Sequence, residues 1–280
     1  LKDSLYLLHH PRKGEDLISI SNFKHIAQQR LIIEELAAHK LSLLRIKAQR
    51  KTKKSSIFSI HENLPSQLIE SLDFKLTGAQ LRCIGEINQD MSSSQPMLRL
   101  LQGDVGSGKT IVAVFILLQA VENNFQTAIM APTEILAQQH LQSFTSYLDH
   151  LGIKVAFLSG SQNTEERRAQ INLIASGKAQ VVIGTHALFQ ESVSFNNLGL
   201  VIIDEQHKFG VHQRLSLAQK AKKVPHQLVM TATPIPRSLT MSVYADLDTS
   251  VIDELPPGRQ KIETIALSNN RRDEVVERIK

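Results

Sequence analysis

Met97-Leu-Arg-Leu-Leu101-Gln-Gly103-Asp104-Val-Gly106-Ser107-Gly108-Lys109-Thr110-Ile111-Val-Ala-Val-Phe-Ile-Leu-Leu118 places an apolar run on each side of a glycine-rich octet. The pattern reads strand, loop, helix, and the octet has the spacing G-x-x-x-x-G-K-T. Glycines let successive backbone N–H groups curl around phosphate oxygens, and the N-terminus of the following helix adds partial positive charge. Gly103, Asp104, Gly106, Ser107 and Gly108 therefore form a candidate cradle for a nucleoside triphosphate. Lys109 is placed to reach its terminal phosphates, and the Thr110 hydroxyl to ligate Mg²⁺.

Composition sets the limits. The chain has 280 residues, 42% of them hydrophobic, which is enough for one large domain plus an appendage. The formal net charge of +5 permits a nucleic-acid partner. The charge is uneven, because Lys40, Arg45, Lys47, Arg50, Lys51, Lys53 and Lys54 follow one another with no acid between them. Such a run is either a solvated helix face or a surface near DNA. One cysteine, Cys83, excludes an internal disulfide and fits a reducing cytoplasm as a packed small residue. The longest apolar run, Ile111 to Leu118, is too short to span a bilayer, so no membrane partner is expected.

Along the chain, residues 1 to 20 read as short and turn-rich, with Pro11 and Gly14 as breakers. A long helical pattern runs from Asn22 to about Lys54, followed by a link over 55–64. Residues 65 to 90 read as short helices around Leu76-Thr-Gly-Ala-Gln80. Strand and helix then alternate. The candidate strands are Leu98–Leu101, Thr127–Ala131, Val155–Leu158, Val181–Gly184, Leu200–Asp204 and Leu228–Thr231. Short strands that are apolar throughout are buried on both faces, which predicts an α/β fold with a mostly parallel sheet between helices. Ligands of such sheets collect at the carboxyl ends of the strands, where the polar motifs of this chain fall.

The second such motif is Leu200-Val-Ile-Ile-Asp204-Glu205-Gln206-His207. An apolar strand delivers two carboxylates to its carboxyl end. In a phosphate-loop enzyme the first, Asp204, helps hold Mg²⁺, and Glu205 is placed to orient and deprotonate the attacking water. Gln206 and His207 fit a sensing or coupling role beside the acids. A third motif, Met230-Thr231-Ala-Thr233-Pro-Ile-Pro-Arg237, places two hydroxyls at a strand end and is also consistent with a simple turn.

Gly103–Thr110, Ala131-Pro132-Thr133-Glu134, Gly184-Thr185-His186, Asp204–His207 and Thr231-Ala-Thr233 together resemble, in order and spacing, motifs I, Ia, Ib, II and III of superfamily 2 helicases. The fuller strings around them are similar to the RecG-type branch-migrating DNA helicases. These include Asp204-Glu-Gln-His-Lys-Phe-Gly-Val with Gln213-Arg214, Thr231-Ala-Thr-Pro-Ile-Pro-Arg237 and Asp253-Glu-Leu-Pro-Pro-Gly-Arg259. Transcription-repair coupling translocases are the nearest competitor, but their box usually reads Asp-Glu-Glu-His, and Gln206 favours the RecG type. A P-loop NTPase of another class and a scaffold with a vestigial loop are more distant alternatives.

The resemblance implies a RecA-like motor domain that uses ATP and Mg²⁺ and acts on branched or duplex DNA. It implies that Lys109, Thr110, Asp204 and Glu205 serve the Mg-nucleotide, that Gln80 reads the adenine edge and that Phe74 packs against the base. Gln206, His207, Thr231 and Thr233 would couple nucleotide state to DNA grip. Pro132, Thr133, Ser159, Gly160, Gly184, Thr185 and His186 would face the DNA, although His186 also fits a capping residue. The layout it implies is the tail of an upstream wedge domain at 1–20, a long helix and linker at 21–64, the first motor domain at 65–265 and the start of a second at 266–280. The arginine finger is expected in that second domain, so these residues alone are expected to hydrolyse ATP slowly.

Overall fold

The computed structural model describes residues 1–11, 13–51, 53–205, 220–221, 223–233, 247–256 and 266–279. Seven strands build one sheet: β1 Leu98–Gly103, β2 Gln126–Met130, β3 Val155–Leu158, β4 Val181–Gly184, β5 Leu198–Asp204, β6 His226–Thr231 and β7 Asp248–Ile252. Their spatial order is β3-β4-β2-β5-β6-β1-β7, and every described pairing is parallel. All six expected strands are present. The seventh, β7, was not expected, because Asp-Thr-Ser-Val-Ile is an edge strand with polar positions and lacks the continuous apolar run of a central one.

The described helices are α1 Lys2–His9, α2 Leu17–Ser21, α3 Ile26–Lys51, α4 Asn63–Ser71, α5 Gly78–Met91, α6 Lys109–Glu122, α7 Glu134–Leu148, α8 Thr164–Ala175 and α9 Arg272–Ile279. Alternate residues of the central strands enter opposite cores. Ile129, Ile202, Leu228 and Met230 pack with α5, α6 and α7, while Ala128, Met130, Val201 and Ile203 pack with Ile174 of α8. Every residue of α6 from Ile111 to Ala120 is buried, which is why its sequence is apolar all round rather than striped.

Two expectations for the N-terminal part change. Residues 1 to 20 are not merely turns, because α1 occupies the space between Leu1 and the breaker Pro11, with Tyr6 stacked on His10 at 4.8 Å. The long helix starts at Ile26 rather than Asn22, because Phe23 sits at φ 58° and breaks it. Much of the apolar surface of α3 is exposed, including Ile26, Ile33, Leu36, Leu41 and Leu44. Among the described residues, no helix is long and apolar enough to cross a membrane.

Residues 55–64, expected as a link, form a packed strap. Side-chain amides of α6 and the residue after it replace a neighbouring strand. Asn123 accepts from Ser59 N–H at 2.9 Å and donates to Ser59 O at 2.8 Å; Gln119 does the same for His61 at 2.9 and 2.7 Å. Glu122 accepts from Leu64 N–H at 3.0 Å. Phe58, 1% exposed, stacks on Phe125 and stabilises the strap by about 1.5 to 3 kcal/mol through its apolar burial.

His226 locks the strap to the sheet. It is fully buried; Nε2 lies 2.7 Å from Ser56 O, and Nδ1 accepts from Met97 N–H at 3.1 Å. These bonds define a neutral ring with the proton on Nε2. Burial pushes its pKa below the ordinary histidine value of 6.5, against the opposing pulls of Ser56 O and Asp90. The unfolded chain therefore binds a proton that the folded chain refuses. This contribution to stability is complete above about pH 6.5 and is lost as pH falls below it, at up to about 1.4 kcal/mol per pH unit. Thermal unfolding from pH 8 to pH 5 should show a decline in Tm that is shallower in His226→Gln, and equal slopes would contradict this account.

Candidate functional site

The strand register carries the glycine-rich loop and the acids to one place. Asp204 pairs with Met230 across β5 and β6, and Thr231 pairs with Gln102 across β6 and β1. The loop after Gly103, the residues after Thr231 and the two acids thus leave three adjacent strand ends. Farther along the same edge, Met130 pairs with Gly184, and Gly184 with Leu158. The segments beginning at Ala131, Thr185 and Ser159 are therefore neighbours too.

Gly106 and Gly108 adopt φ 77° and 88°, a region that L side chains rarely enter. A Cβ on Gly108 would also collide with the Gln80 amide. Ser107 is fully buried, and its hydroxyl has no hydrogen-bond partner among the described residues. Lys109 Nζ donates to Gly103 O at 2.6 Å and to Asp104 O at 2.9 Å. Burial lowers the Lys109 pKa from its ordinary value, while the charges of Asp204, Glu205 and Asp104 pull it back up. The loop lysine therefore lies within electrostatic reach of the acid pair.

These features fit a magnesium nucleotide. Among the described residues no side chain caps the N-terminus of α6 and the Ser107 hydroxyl inside the loop is orphaned, while the loop lysine lies within electrostatic reach of two carboxylates. Among the described residues, no group of three or more His, Cys, Asp or Glu is arranged to hold a metal. Magnesium commonly relies on one or two carboxylates together with substrate phosphates and water.

Glu205 has φ 51°, uncommon for a residue with a side chain. Its N–H donates to Met230 O at 3.0 Å, and its Oε1 accepts from Ala232 N–H at 3.0 Å. The second acid is thereby tied to the Thr231-Ala-Thr233 turn. Within that turn the two threonine hydroxyls lie 2.9 Å apart. Gln206 and His207 lie outside the described residues.

Gln80 is buried, and both ends of its amide are engaged. Oε1 accepts from Thr77 N–H at 2.9 Å, completing a capping box for α5, while Nε2 donates to Ser107 O at 2.9 Å. Phe74 is exposed. It lines a hollow of about 290 Å³ with Ser71, Leu72, Asp73, Ser146, Tyr147 and His150.

At the other half of the edge, Thr133 caps α7 through Leu136 N–H at 3.3 Å, with Pro132 just before it. Glu134 accepts from Ser161, and Ser159 Oγ lies 3.3 Å from Ser161 Oγ. Gly160 and His186 are exposed, whereas Ser159, Gly184 and Thr185 are buried. His186 opens a short 3₁₀ turn that ends at Phe189.

Contributions from three segments were missed from sequence. His140 Nε2 lies 2.8 Å from Asp204 Oδ2. Arg167 donates to Ser159 O at 3.1 Å and to Gln190 Oε1 at 2.5 Å, joining two edge loops. Glu254 Oε2 accepts from Ala79 N–H at 3.0 Å, and Asp253 Oδ1 accepts from Arg82 Nη2 at 2.7 Å, so the segment after β7 grips the helix bearing Gln80. The family string Asp253-Glu254 offered a signal for the last, and no local pattern marks the other two.

A profile of the DEAD/DEAH box helicase family matches residues 77–242. This range covers more than half of the chain and contains the loop, the acid pair and the Thr231-Ala-Thr233 turn. The chain belongs to the DEAD/DEAH box helicase family. Over its full length this helicase chain is 51% identical to the ATP-dependent DNA helicase RecG of Escherichia coli strain K12, of which it covers 41%. Identity to the ATP-dependent DNA helicase RecG of Haemophilus influenzae is also 51%, again over the whole chain and 41% of that relative. A solved structure of RecG bound to a three-way DNA junction superposes with a TM-score of 0.81 at 44% identity, covering 90% of this chain and 34% of that one. The helicase chain thus spans about two fifths of the length of these curated relatives.

Gly108→Ala should lower nucleotide affinity about tenfold or more, because it combines a positive φ with displacement of the Gln80 amide. Titration with a fluorescent nucleotide, alongside circular dichroism to verify folding, measures this; unchanged affinity in a folded variant would contradict it.

Proposed function

We propose that this chain is the first motor domain of an ATP-driven DNA helicase that remodels stalled replication forks and Holliday junctions, with its preceding helical segment. The observation that carries the reading is the strand register of β5, β6 and β1, which brings the glycine-rich loop and the Asp204-Glu205 pair to one edge of the sheet beside an uncapped helix N-terminus. Similarity along the whole chain to RecG helicases, one of them solved on a three-way junction, supports DNA junctions as the substrate. The same similarity disfavours the transcription-repair coupling alternative.

In this reading, Gly103, Asp104, Gly106, Ser107 and Gly108 wrap the phosphates of ATP, and Lys109 neutralises the terminal ones. Thr110 and Asp204 hold Mg²⁺, which supplies charge neutralisation to the transferring phosphoryl group. Glu205 orients the attacking water and accepts its proton. Gln80 reads the adenine edge from a position already tied to the loop at Ser107, and Phe74 lies beside the base. Gln206, His207, Thr231 and Thr233 couple hydrolysis to DNA grip, and the contact of Glu205 with Ala232 N–H supports that route.

Pro132, Thr133, Gly160 and His186 track DNA phosphates, contacts that position the motor without reading sequence, and the buried Ser159, Gly184 and Thr185 support them from beneath. Their strand ends are neighbours, which supports one continuous surface. Residues 1–20 form the tail of a wedge domain, 21–64 the helix and linker, 65–265 the first motor domain and 266–280 the start of the second. A reducing cytoplasmic setting fits the single buried cysteine.

Two measurements test the proposal. Lys109→Ala should abolish nucleotide binding by titration, and unchanged binding would favour a scaffold with a vestigial loop. The 280 residues alone should bind nucleotide and hydrolyse ATP slowly with or without a model fork. Rapid fork-stimulated turnover by them alone would overturn the assignment of an essential arginine finger to a second motor domain.

A further inference from the structure

α7 leaves the end of β2 through Thr133 and runs beside the sheet, bringing His140 against the end of β5. The His140 and Asp204 side chains are 13% and 15% exposed, so their contact is largely withdrawn from water. Phe144, fully buried one turn farther along α7, meets the imidazole edge-on at 5.9 Å and 67°. A carboxylate only accepts hydrogen bonds, so a His140 Nε2 lying 2.8 Å from Asp204 Oδ2 is the donor.

We infer that His140 is a positioning residue for the divalent cation. It holds Asp204 Oδ2, fixes the rotation of the carboxylate and leaves Oδ1 for the cation and its water shell. The inference rests on the reading of Asp204 as a metal-holding acid. The contact joins two elements 64 residues apart in sequence, so α7 sets the carboxylate angle that β5 alone leaves free. Partners behind a metal-holding group typically change metal affinity 10- to 100-fold when removed.

The same α7 begins at the Thr133 cap and the Glu134 contact with Ser161, within the surface proposed to follow DNA. His140 thus connects the metal acid to a helix whose other end faces the proposed DNA track. A displacement of α7 along its axis would move the imidazole that Asp204 leans on.

The test is equilibrium binding of a ribose-labelled, non-hydrolysable ATP analogue to the 280-residue chain at stepped Mg²⁺ concentrations, with EDTA as the metal-free arm. His140→Ala should raise the Mg²⁺ concentration at half-maximal binding by about 10- to 100-fold and leave the affinity in EDTA unchanged. His140→Gln, whose amide N–H can still donate to a carboxylate, should recover most of that shift. Binding of Mn²⁺ with the nucleotide, followed by electron paramagnetic resonance, should weaken in parallel. An unchanged Mg²⁺ midpoint in His140→Ala, or an equal loss of affinity with and without metal, would overturn the inference while leaving the nucleotide site intact. Wild-type chain whose nucleotide binding ignores Mg²⁺ would instead remove the reading of Asp204 on which it rests.

Discussion

The parallel register of β5, β6 and β1 is the constraint on which the candidate site depends. Asp204 opposite Met230 and Thr231 opposite Gln102 place three segments from distant parts of the sequence at adjacent strand ends. Side-chain direction alternates along a strand, so a slip of one residue would exchange the two buried faces and misplace the acids. The apolar cores on both faces hold that register. Ile202 and Leu228 belong to the core under α6, and Val201 and Ile203 to the core under α8.

The polar interior of the cleft is held less economically. Glu205 adopts φ 51°, Ser107 keeps a buried hydroxyl without a partner among the described residues, and Lys109 is parked on two loop carbonyls. Local conformational cost of this kind persists only when surrounding structure enforces it. Here the enforcing contacts are Met230 O and Ala232 N–H on Glu205 and the Gln80 amide on Ser107 O. A binding loop held open in this way avoids much of the ordering entropy otherwise lost when a ligand arrives.

Elements at the periphery reach the same place by short routes. The strap at 55–64 is bonded to the far end of α6, whose first residues are Lys109 and Thr110. Glu254 and Asp253, leaving β7, bind Ala79 and Arg82 on the helix that carries Gln80. Both the segment from α3 and the segment beyond β7 are therefore mechanically joined to the loop.

The sequence by itself determined the alternation of strand and helix, the parallel sheet, the glycine-rich loop and the acid pair. These features are written in local runs: continuous apolar strands such as Val181–Gly184, glycines where φ is positive, and Asp204-Glu205 at a strand end. Edge strand β7 was illegible because edge positions tolerate polar residues, and α1 because its breakers suggested turns instead of the ends of a short helix. Tertiary structure alone decided that Gln80 braces the loop, that Phe74 shares a hollow with Tyr147 and His150, and that His140 meets Asp204. Each of these contacts joins residues through packing of separate elements, and no local periodicity encodes which side chains will meet when a helix settles on a sheet.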